Sequence, residues 1–428
     1  MKMQAKKTYN LIFAIFILAL LPRLFIAFSS QRVPAYDSVS YDSRAMFLVT
    51  GEGFGTTSAK DPFYSIFLAG IYYLFGHSYL AVRFIQAVLG ALTCVFIFLI
   101  AKKVCNIKIA LAAGILASAN PAFIKSGEYV LTENLFAFLL VTAIFFLTGY
   151  MRGRRQKDLI FAGLFIGIAA LTRSVLILFP AFLSLIFTRE FKDKRGIGKN
   201  IYAFFTLLLF FVIPIAPWTA RNWHVHHKFV PISTSTGLGL YSSYLPKDGK
   251  LFGFTSRDEV VIKSEELGSE TKQSEFLAKE TFKYIKNNPL TVLKLEVLKT
   301  FYFWAPFDWE IIGGGRYNYI YGFIFPFFLY GLFVALRSFP ELIIVYLPVC
   351  YGFLMALLTY GSPRFRMPFE PYIIIIAAAG FFILMDKFRK KAAFLTITAF
   401  YLFLSVIFYF NHSYPRALAK ALFRKLNF

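Results

Sequence analysis

Residues 80–108 read LAVRFIQAVLGALTCVFIFLIAKKVCNIK. A helix needs roughly 20 predominantly apolar residues to cross the hydrocarbon core of a bilayer. The run Leu80–Ala101 is of that length and is continuous rather than alternating, so it reads as a transmembrane helix and not as a strand. It ends at Lys102 and Lys103, and Lys108 follows before the next apolar run opens at Ile109. An apolar span closed by a short cation cluster is the unit of this chain.

The unit recurs on both sides. Apolar runs at Leu11–Phe28, Ile109–Phe123, Leu135–Gly149, Leu159–Leu171, Val175–Phe187, Ile201–Trp218, Tyr319–Leu336, Leu342–Tyr360, Tyr372–Met385 and Ala393–Phe410 join Leu80–Ala101. Together they give about eleven expected spans. Backbone in lipid must satisfy its own hydrogen bonds, so the expected fold class is an all-α polytopic membrane protein. Composition agrees, since 58% of the 428 residues are hydrophobic and 54 are Phe, above the 45–50% or so of a soluble domain. The N-terminal MKMQAKKTYN and the run after it lack a small-residue cleavage site and read as a retained signal anchor.

A formal net charge of +23 would suggest nucleic acid in a soluble chain. Here the cations stand in clusters between spans rather than on one basic face with interleaved aromatics, which argues against nucleic acid as a partner. The clusters are Lys2, Lys6 and Lys7, then AKKVCNIK, MRGRRQKD, TREFKDKRGIGK and DKFRKK. With eleven spans all of them fall on one side, the cytoplasmic one by the positive-inside rule. The N-terminus is then cytoplasmic, in a cell (inner) membrane, with the basic tail SYPRALAKALFRKLNF outside, against that rule's grain. Cys94, Cys105 and Cys350 form no CxxC pair, so neither a disulfide framework nor a zinc site is expected. No internal repeat is visible, which weighs against many secondary transporters.

Three parts follow: a membrane module at 1–218 with its first external loop at 29–79, an external region at 219–318, and a second membrane module with the tail at 319–428. In the first loop, DPFYSIFLAGIYYLFG is too short to cross and reads as a helix lying on the membrane. In the external region, SRDEVVIKSEELGSETKQSEFLAKETFKYIKNNP reads as one or two charged amphipathic helices stopped at Pro289.

Ionisable residues bordering a membrane are costly and point to function. Those of this chain gather toward the outer side: Asp37 and Asp42 in PAYDSVSYDS, Lys60 and Asp61, Glu128 and Glu133, Arg173 in ALTRS, Arg221 in PWTARNW, and Arg364 and Arg366 in GSPRFRMPFEP. Acids beside several arginines describe a site that holds an anion and carries a carboxylate base, because a guanidinium fork matches phosphate and a carboxylate can take a hydroxyl proton. Each group also has a plainer role. Asp37 and Asp42 would serve as helix caps, Arg173 and Arg221 as arginines reaching lipid phosphate, and Glu133 as an acid at a helix N-terminus. His224–His227 (HVHH) lacks a carboxylate or cysteine partner in metal-ligand spacing, while GLGLY and Gly313–Gly315 read as turns.

Over some 330 residues these motifs resemble, in order, the bacterial GT-C glycosyltransferases of the protein O-mannosyltransferase and aminoarabinose-transferase type. Asp37, Tyr41 and Ala45 stand in that family's first-loop register, with Ser38 where Glu is common. Lys60, Pro62, Gly76 and Arg83 follow its next motif, and LTENLF, PWTARNW with FVPISTSTGLGLY, and SPRFRMPFEP match three more. The resemblance implies an inverting transferase that takes a sugar from a polyprenyl phosphate on the extracytoplasmic face, with membrane lipids around it and a glycan, lipid or protein as acceptor. It implies Asp37 as general base, Glu133 as a second catalytic acid, and Lys60, Arg221, Arg364, Arg366, Tyr41, Asp42 and Arg173 as substrate-binding residues. It implies no certain cofactor, though it leaves room for a divalent metal. Two other classes are compatible with parts of the pattern. One is a ligase or polymerase of O-antigen type acting on diphosphate-linked oligosaccharide, whose key residues would stand late in the chain. The other is a lipid-linked-sugar flippase or transporter, which would carry polar residues along a central path.

Overall fold

The computed structural model describes residues 2–189, 197–245, 258–306, 317–388 and 391–410. Most of TREFKDKRGIGK, Gly313–Gly315 and the C-terminal tail therefore lie outside the described residues. The rest is helix joined by short turns. The first half comprises α1 (Lys2–Ser29), α2 (Asp37–Val49), α3 (Phe63–Phe75), α4 (Tyr79–Val104), α5 (Ile107–Ala119), α6 (Pro121–Ser126), α7 (Thr132–Gly153), α8 (Gln156–Thr172), α9 (Phe179–Arg189) and α10 (Ile197–His226). The second half comprises α11 (Thr236–Tyr244), α12 (Glu259–Glu265), α13 (Glu270–Asn287), α14 (Pro289–Trp304), α15 (Tyr319–Ser338), α16 (Ile343–Leu358), α17 (Pro363–Arg366), α18 (Glu370–Lys387) and α19 (Lys391–Phe410). Among the described residues, 7 helical segments are long and apolar enough to cross a membrane, lying in α1, α4, α7, α10, α15, α16 and α17–α18. Shorter apolar helices include α3, α5 and the segments Ser174–Leu185 and Phe394–Ile407. Most expected spans lie within one helix, but Ile109–Phe123 is divided at Asn120 between α5 and α6 and Val175–Phe187 joins the 3-10 turn Ser174–Leu176 to α9; the expected all-α fold class is the observed one.

Local chemistry sets where the helices begin. The Ser78 side chain accepts from Ala81 N at the start of α4, and Asn106 accepts from Lys108 N and Ile109 N at the start of α5. Asn120 caps α6 and Ser362 caps α17, each with a proline at the first helical position, where the missing N–H costs nothing.

Two helix pairs touch at glycines. A Cβ on Gly163 or Gly167 of α8 would lie 2.6 Å from Leu207 O or 2.4 Å from Phe211 O of α10. Between α15 and α18, Cβ atoms on Gly331 and Gly380 would meet Ile376 O at 2.6 Å and Phe327 O at 2.2 Å. Lipid tails are as apolar as leucine, so close backbone approach at small residues replaces the hydrophobic drive in holding such pairs.

Among the described residues, the N-terminal segment and the clusters AKKVCNIK and MRGRRQKD meet at one end of the bundle. Lys102 Nζ donates to Thr8 Oγ1 at 2.7 Å, Arg152 pairs with Glu341 at 3.2 Å, and Arg155 pairs with Asp158 at 3.2 Å. At the other end of α1, Ser30 Oγ donates to Glu128 Oε1 at 2.8 Å, and Arg83 donates to the carbonyl of Ser30 at 2.7 Å.

Two local expectations are corrected. PAYDSVSYDS is not wholly loop, because α2 starts at Asp37 and carries Ser38 to Ser43. GLGLY is not a turn but lies in α11, where Gly237 lets that helix approach α13: a Cβ there would lie 1.9 Å from Ser274 O. The charged helix α13 ends at Asn287, just before Pro289, as expected, and Pro289 is also the first residue of the next helix, α14. In addition, α10 runs past Trp218 to His226, so the external region begins inside a helix.

Candidate active site

The helical period explains the first motif. Asp37, Tyr41 and Ala45 are four residues apart and share one face of α2, with Tyr41 and Ala45 buried. Tyr41 packs edge-on against Tyr64 of α3, with ring centroids 5.3 Å apart. This contact, with Ser65 Oγ donating to Tyr41 O at 3.3 Å, holds α2 on α3 and sets the position of Asp37.

Asp37 is half-exposed and engaged at both oxygens. Lys60 Nζ donates to Oδ1 at 2.8 Å and Arg364 Nη1 donates to Oδ2 at 3.1 Å. Burial alone would raise its pKa, but the charges of Lys60 and Arg364 outweigh it and hold the carboxyl at about 2. The same Arg364 donates from Nε to Glu133 Oε1, to which Arg173 Nη1 also donates at 3.2 Å. Glu133 is buried at the first turn of α7 and Arg173 ends α8. The result is a chain of alternating charge, Lys60–Asp37–Arg364–Glu133–Arg173, drawn from α2, the turn before α3, α7, the end of α8 and α17. A guanidinium bonded to two carboxylates through different nitrogens uses its fork, which a lysine would lack.

The structure therefore brings Asp37, Tyr41, Lys60, Glu133, Arg173 and Arg364 together. It separates three others from that cluster. Asp42 is five residues beyond Asp37, on a different face of α2, and accepts from Tyr72 OH at 2.5 Å and Tyr79 OH at 3.0 Å, with His77 Nε2 at 2.9 Å. Arg221 donates to Ser58 Oγ at 2.7 Å and to the Gly55 carbonyl at 2.5 Å, and stacks over Trp218 at 4.8 Å. It supports the turn that leads into Lys60 and makes no ion pair with the site's carboxylates among the described residues. Arg366 is the clearest correction. It is buried against Glu370 at 2.9 Å, donates to the carbonyls of Phe303 and Ala305 at 2.6 Å, and lies over the Tyr321 ring at 3.6 Å, so it faces the packed interior rather than a groove. Asn120 Nδ2 donates to the other oxygen of Glu370 at 3.0 Å and Asn318 Nδ2 to Asn120 Oδ1 at 3.0 Å, completing a buried network that fixes α17 and thereby Arg364.

The turn beneath Arg221 is tied to the external helices. Glu270, first residue of α13, accepts from Ser58 N at 2.9 Å, Thr57 Oγ1 at 2.5 Å and Thr234 Oγ1 at 2.8 Å. His226 Nε2 lies 2.8 Å from Ser58 Oγ, which accounts for one residue of HVHH. Among the described residues no group of three or more His, Cys, Asp or Glu side chains converges as a metal site would require. The two central carboxylates are instead taken up by cations, and the described residues around them do not fit a divalent metal.

Sequence reasoning noted Asp61 and gave it no role. The structure puts it in the same neighbourhood: its Oδ2 accepts from Ser174 N at 3.1 Å, directly after Arg173. The only signal was its position beside Lys60, because burial of a loop acid leaves no periodic trace.

Residues 59–219 match the family described as dolichyl-phosphate-mannose-protein mannosyltransferase. Among solved structures, the chain is similar to the apo crystal structure of the Archaeoglobus fulgidus oligosaccharyltransferase, with a TM-score of 0.55 and 16% identity over 92% of this chain and 54% of that one. It is similar as well to AglB of Archaeoglobus fulgidus in complex with an inhibitory peptide and a dolichol-phosphate, with a TM-score of 0.51 and 14% identity over 94% and 54% of the two chains. ArnT from Cupriavidus metallidurans bound to undecaprenyl phosphate gives a TM-score of 0.44 and 12% identity over 87% and 78%. At such identities the archaeal likeness is one of fold, and the chain spans about half the length of those proteins. No curated protein matches by sequence.

Proposed function

We propose, for this multi-pass membrane protein of the GT-C glycosyltransferase superfamily, inverting transfer of a monosaccharide from a polyprenyl-phosphate donor to an acceptor hydroxyl on the extracytoplasmic face. The observation that carries the reading is the Lys60–Asp37–Arg364–Glu133–Arg173 chain at the helix ends opposite the cation clusters. A lipid-borne donor arrives sideways from the bilayer, and cations at headgroup depth can meet its phosphate while the apolar helices accept the isoprenoid. The outward assignment rests on the positive-inside rule.

In this mechanism Asp37 takes the proton from the acceptor hydroxyl. The resulting alkoxide-like oxygen attacks the anomeric carbon, the bond from that carbon to the phosphate oxygen breaks, and the electron pair leaves with the lipid phosphate. Lys60 and Arg364 stabilise the charge gathering there. With both cations on it, Asp37 is a weak base. A donor phosphate that draws Lys60 or Arg364 toward itself would strip that brake, so that Asp37 becomes basic when the donor is present. Glu133 keeps Arg364 and Arg173 in place throughout, and Arg221 and Arg366 act as supports for the segments carrying Lys60 and Arg364.

The test is a panel of polyprenyl-phosphate monosaccharides offered to purified protein with membrane extract as acceptor, each donor followed by mass spectrometry. One donor should be consumed by wild type and left intact by Asp37→Asn. Equal consumption by the variant would remove Asp37 as base. Consumption only of diphosphate-linked oligosaccharide would replace the reading with a ligase.

A further inference from the structure

Six charged side chains occupy the site, and Asp61 is the one for which the mechanism has no use. It is held at two points of the chain that each carry a cation, Lys60 before it and Arg173 next to its bonding partner Ser174. Yet Lys60 turns its ammonium to Asp37 and Arg173 turns its guanidinium to Glu133. Among the described residues no cation lies within ion-pair distance of Asp61, and its Oδ1 is sealed from solvent and meets no donor at hydrogen-bond geometry, the Ser174 side chain standing nearby. Capping the short 3-10 turn Ser174–Leu176 accounts for Oδ2 and leaves Oδ1 unexplained. A carboxylate oxygen buried without a donor is costly, whereas a carboxylic acid O–H there is not.

The charge count makes the same point. Three cations (Lys60, Arg173 and Arg364) face three carboxyls (Asp37, Glu133 and Asp61), and Arg44 of α2 stands next to Asp61 as a fourth cation. With all three carboxyls ionised these groups carry a single positive charge. With one proton added they carry two and attract an arriving anion more strongly. Asp37 and Glu133 are each bonded to two cations, so the proton belongs on Asp61. We infer that Asp61 takes up a proton as a lipid-phosphate anion binds at the Lys60 end of the cluster, which couples donor binding to protonation of this carboxyl. The inference rests on the reading that the cluster holds a lipid phosphate.

The surroundings of Asp61 fit that role. The groups facing it are Lys60 on its own turn, Asp37, Tyr41 and Arg44 of α2, and Arg173 with Ser174 after α8, with Glu133 behind Arg173. Burial raises its pKa to about 6, against the lowering by the Ser174 hydrogen bonds and by Arg173 and Lys60. An anion drawing Lys60 away removes part of that lowering and adds a negative neighbour. Both changes push the proton onto Asp61.

Isothermal titration of the full-length protein in detergent tests this, with a polyprenyl phosphate methyl diester as probe. A phosphodiester does not itself titrate between pH 5 and pH 8. Binding heats at pH 7 in two buffers of different ionisation enthalpy give the protons taken up. Wild type should take up close to one proton per probe, and its affinity should fall by roughly tenfold per pH unit above pH 6. Asp61→Asn should take up none and bind equally well at pH 6 and pH 8. Binding by wild type with no proton uptake, or an unchanged pH slope in Asp61→Asn, overturns the inference and leaves the donor reading standing. Failure of wild type to bind the probe at any pH overturns both. The wild-type stoichiometry decides the matter even if the variant does not fold.

Discussion

Two acids a short distance apart in this protein are held in opposite ways. Asp37 is ion-paired at both oxygens, which holds its carboxyl down at about 2, while Asp61, half-buried with Oδ1 sealed from solvent and in no ion pair among the described residues, is pushed up to about 6 by desolvation. For Asp61 the folded-state value lies above the ordinary 3.8, so the folded chain binds more protons than the unfolded one across that window. Stability attributable to this group therefore falls as pH rises from about 4 to about 6 and stays reduced above it, by up to about 3 kcal/mol. Asp61→Asn should raise the melting temperature at pH 8 and leave it nearly unchanged at pH 4, measured by thermal scans in detergent. An equal shift at both pH values would mean that a packing change, not charge, is responsible. Arg364 offers a second check at this scale. Its Nε and Nη1 serve Glu133 and Asp37 at once, a geometry that lysine cannot copy. Arg364→Lys should lose tenfold or more in turnover while the protein still folds, since Arg366 and Glu370 continue to hold α17. Retained turnover would reduce Arg364 to a point charge.

Elements meet through glycines whose purpose is not written in any local pattern. Gly167 of α8 admits Phe211 O and Pro214 of α10, so Gly167→Val should separate these helices and cost several-fold in the yield of folded protein by fluorescence-detected size exclusion, with Gly198→Val, which faces open space, as the silent control. Equal yields would sink that account. The contrast with what was readable beforehand is physical. Span positions were legible because a bilayer imposes length and apolarity on contiguous residues, and most expected spans are single helices, while the break at Asn120 inside Ile109–Phe123 left no mark on apolarity. The Asp37–Tyr41–Ala45 spacing is legible too, as a helical stripe, although a polar loop was expected there. Gly237 was misread because a glycine required by a neighbour's backbone looks the same as one required by a turn. Arg364 and Arg366 stand two residues apart in one motif and face opposite ways. Only the partners supplied by α7 and α18 decide which of them belongs to the site. Asp61 was passed over for the same reason, since its role depends on what Lys60 and Arg173 bond elsewhere.

At the scale of the whole molecule, charge is sorted along the bundle. One end joins Thr8, Lys102, Arg152, Arg155 and Glu341, and the other joins Ser30, Glu128, Arg83 and the acid–arginine chain. α1 links the two ends: Thr8 lies near its start and Ser30 just after its last turn, and 28 residues at about 1.5 Å each are ample to cross a bilayer. The proposed transfer requires that the acid–arginine end face the compartment where the acceptor waits, and the proposal, following the positive-inside rule, puts that end outside. The orientation is directly measurable. Val33 and Ile107 are both exposed, the first four residues before Asp37 and the second at the start of α5, just after Lys102 and Lys103. Single cysteines placed there, with Cys94, Cys105 and Cys350 replaced by alanine or serine, can be offered a membrane-impermeant maleimide in intact cells. Val33→Cys should label before the cells are opened and Ile107→Cys only after. The reverse order would turn the site toward the cytoplasm and rule out an extracytoplasmic acceptor. Labelling of both in intact cells would mean that the two ends do not lie on opposite sides of the membrane, and the span arrangement would have to be redrawn.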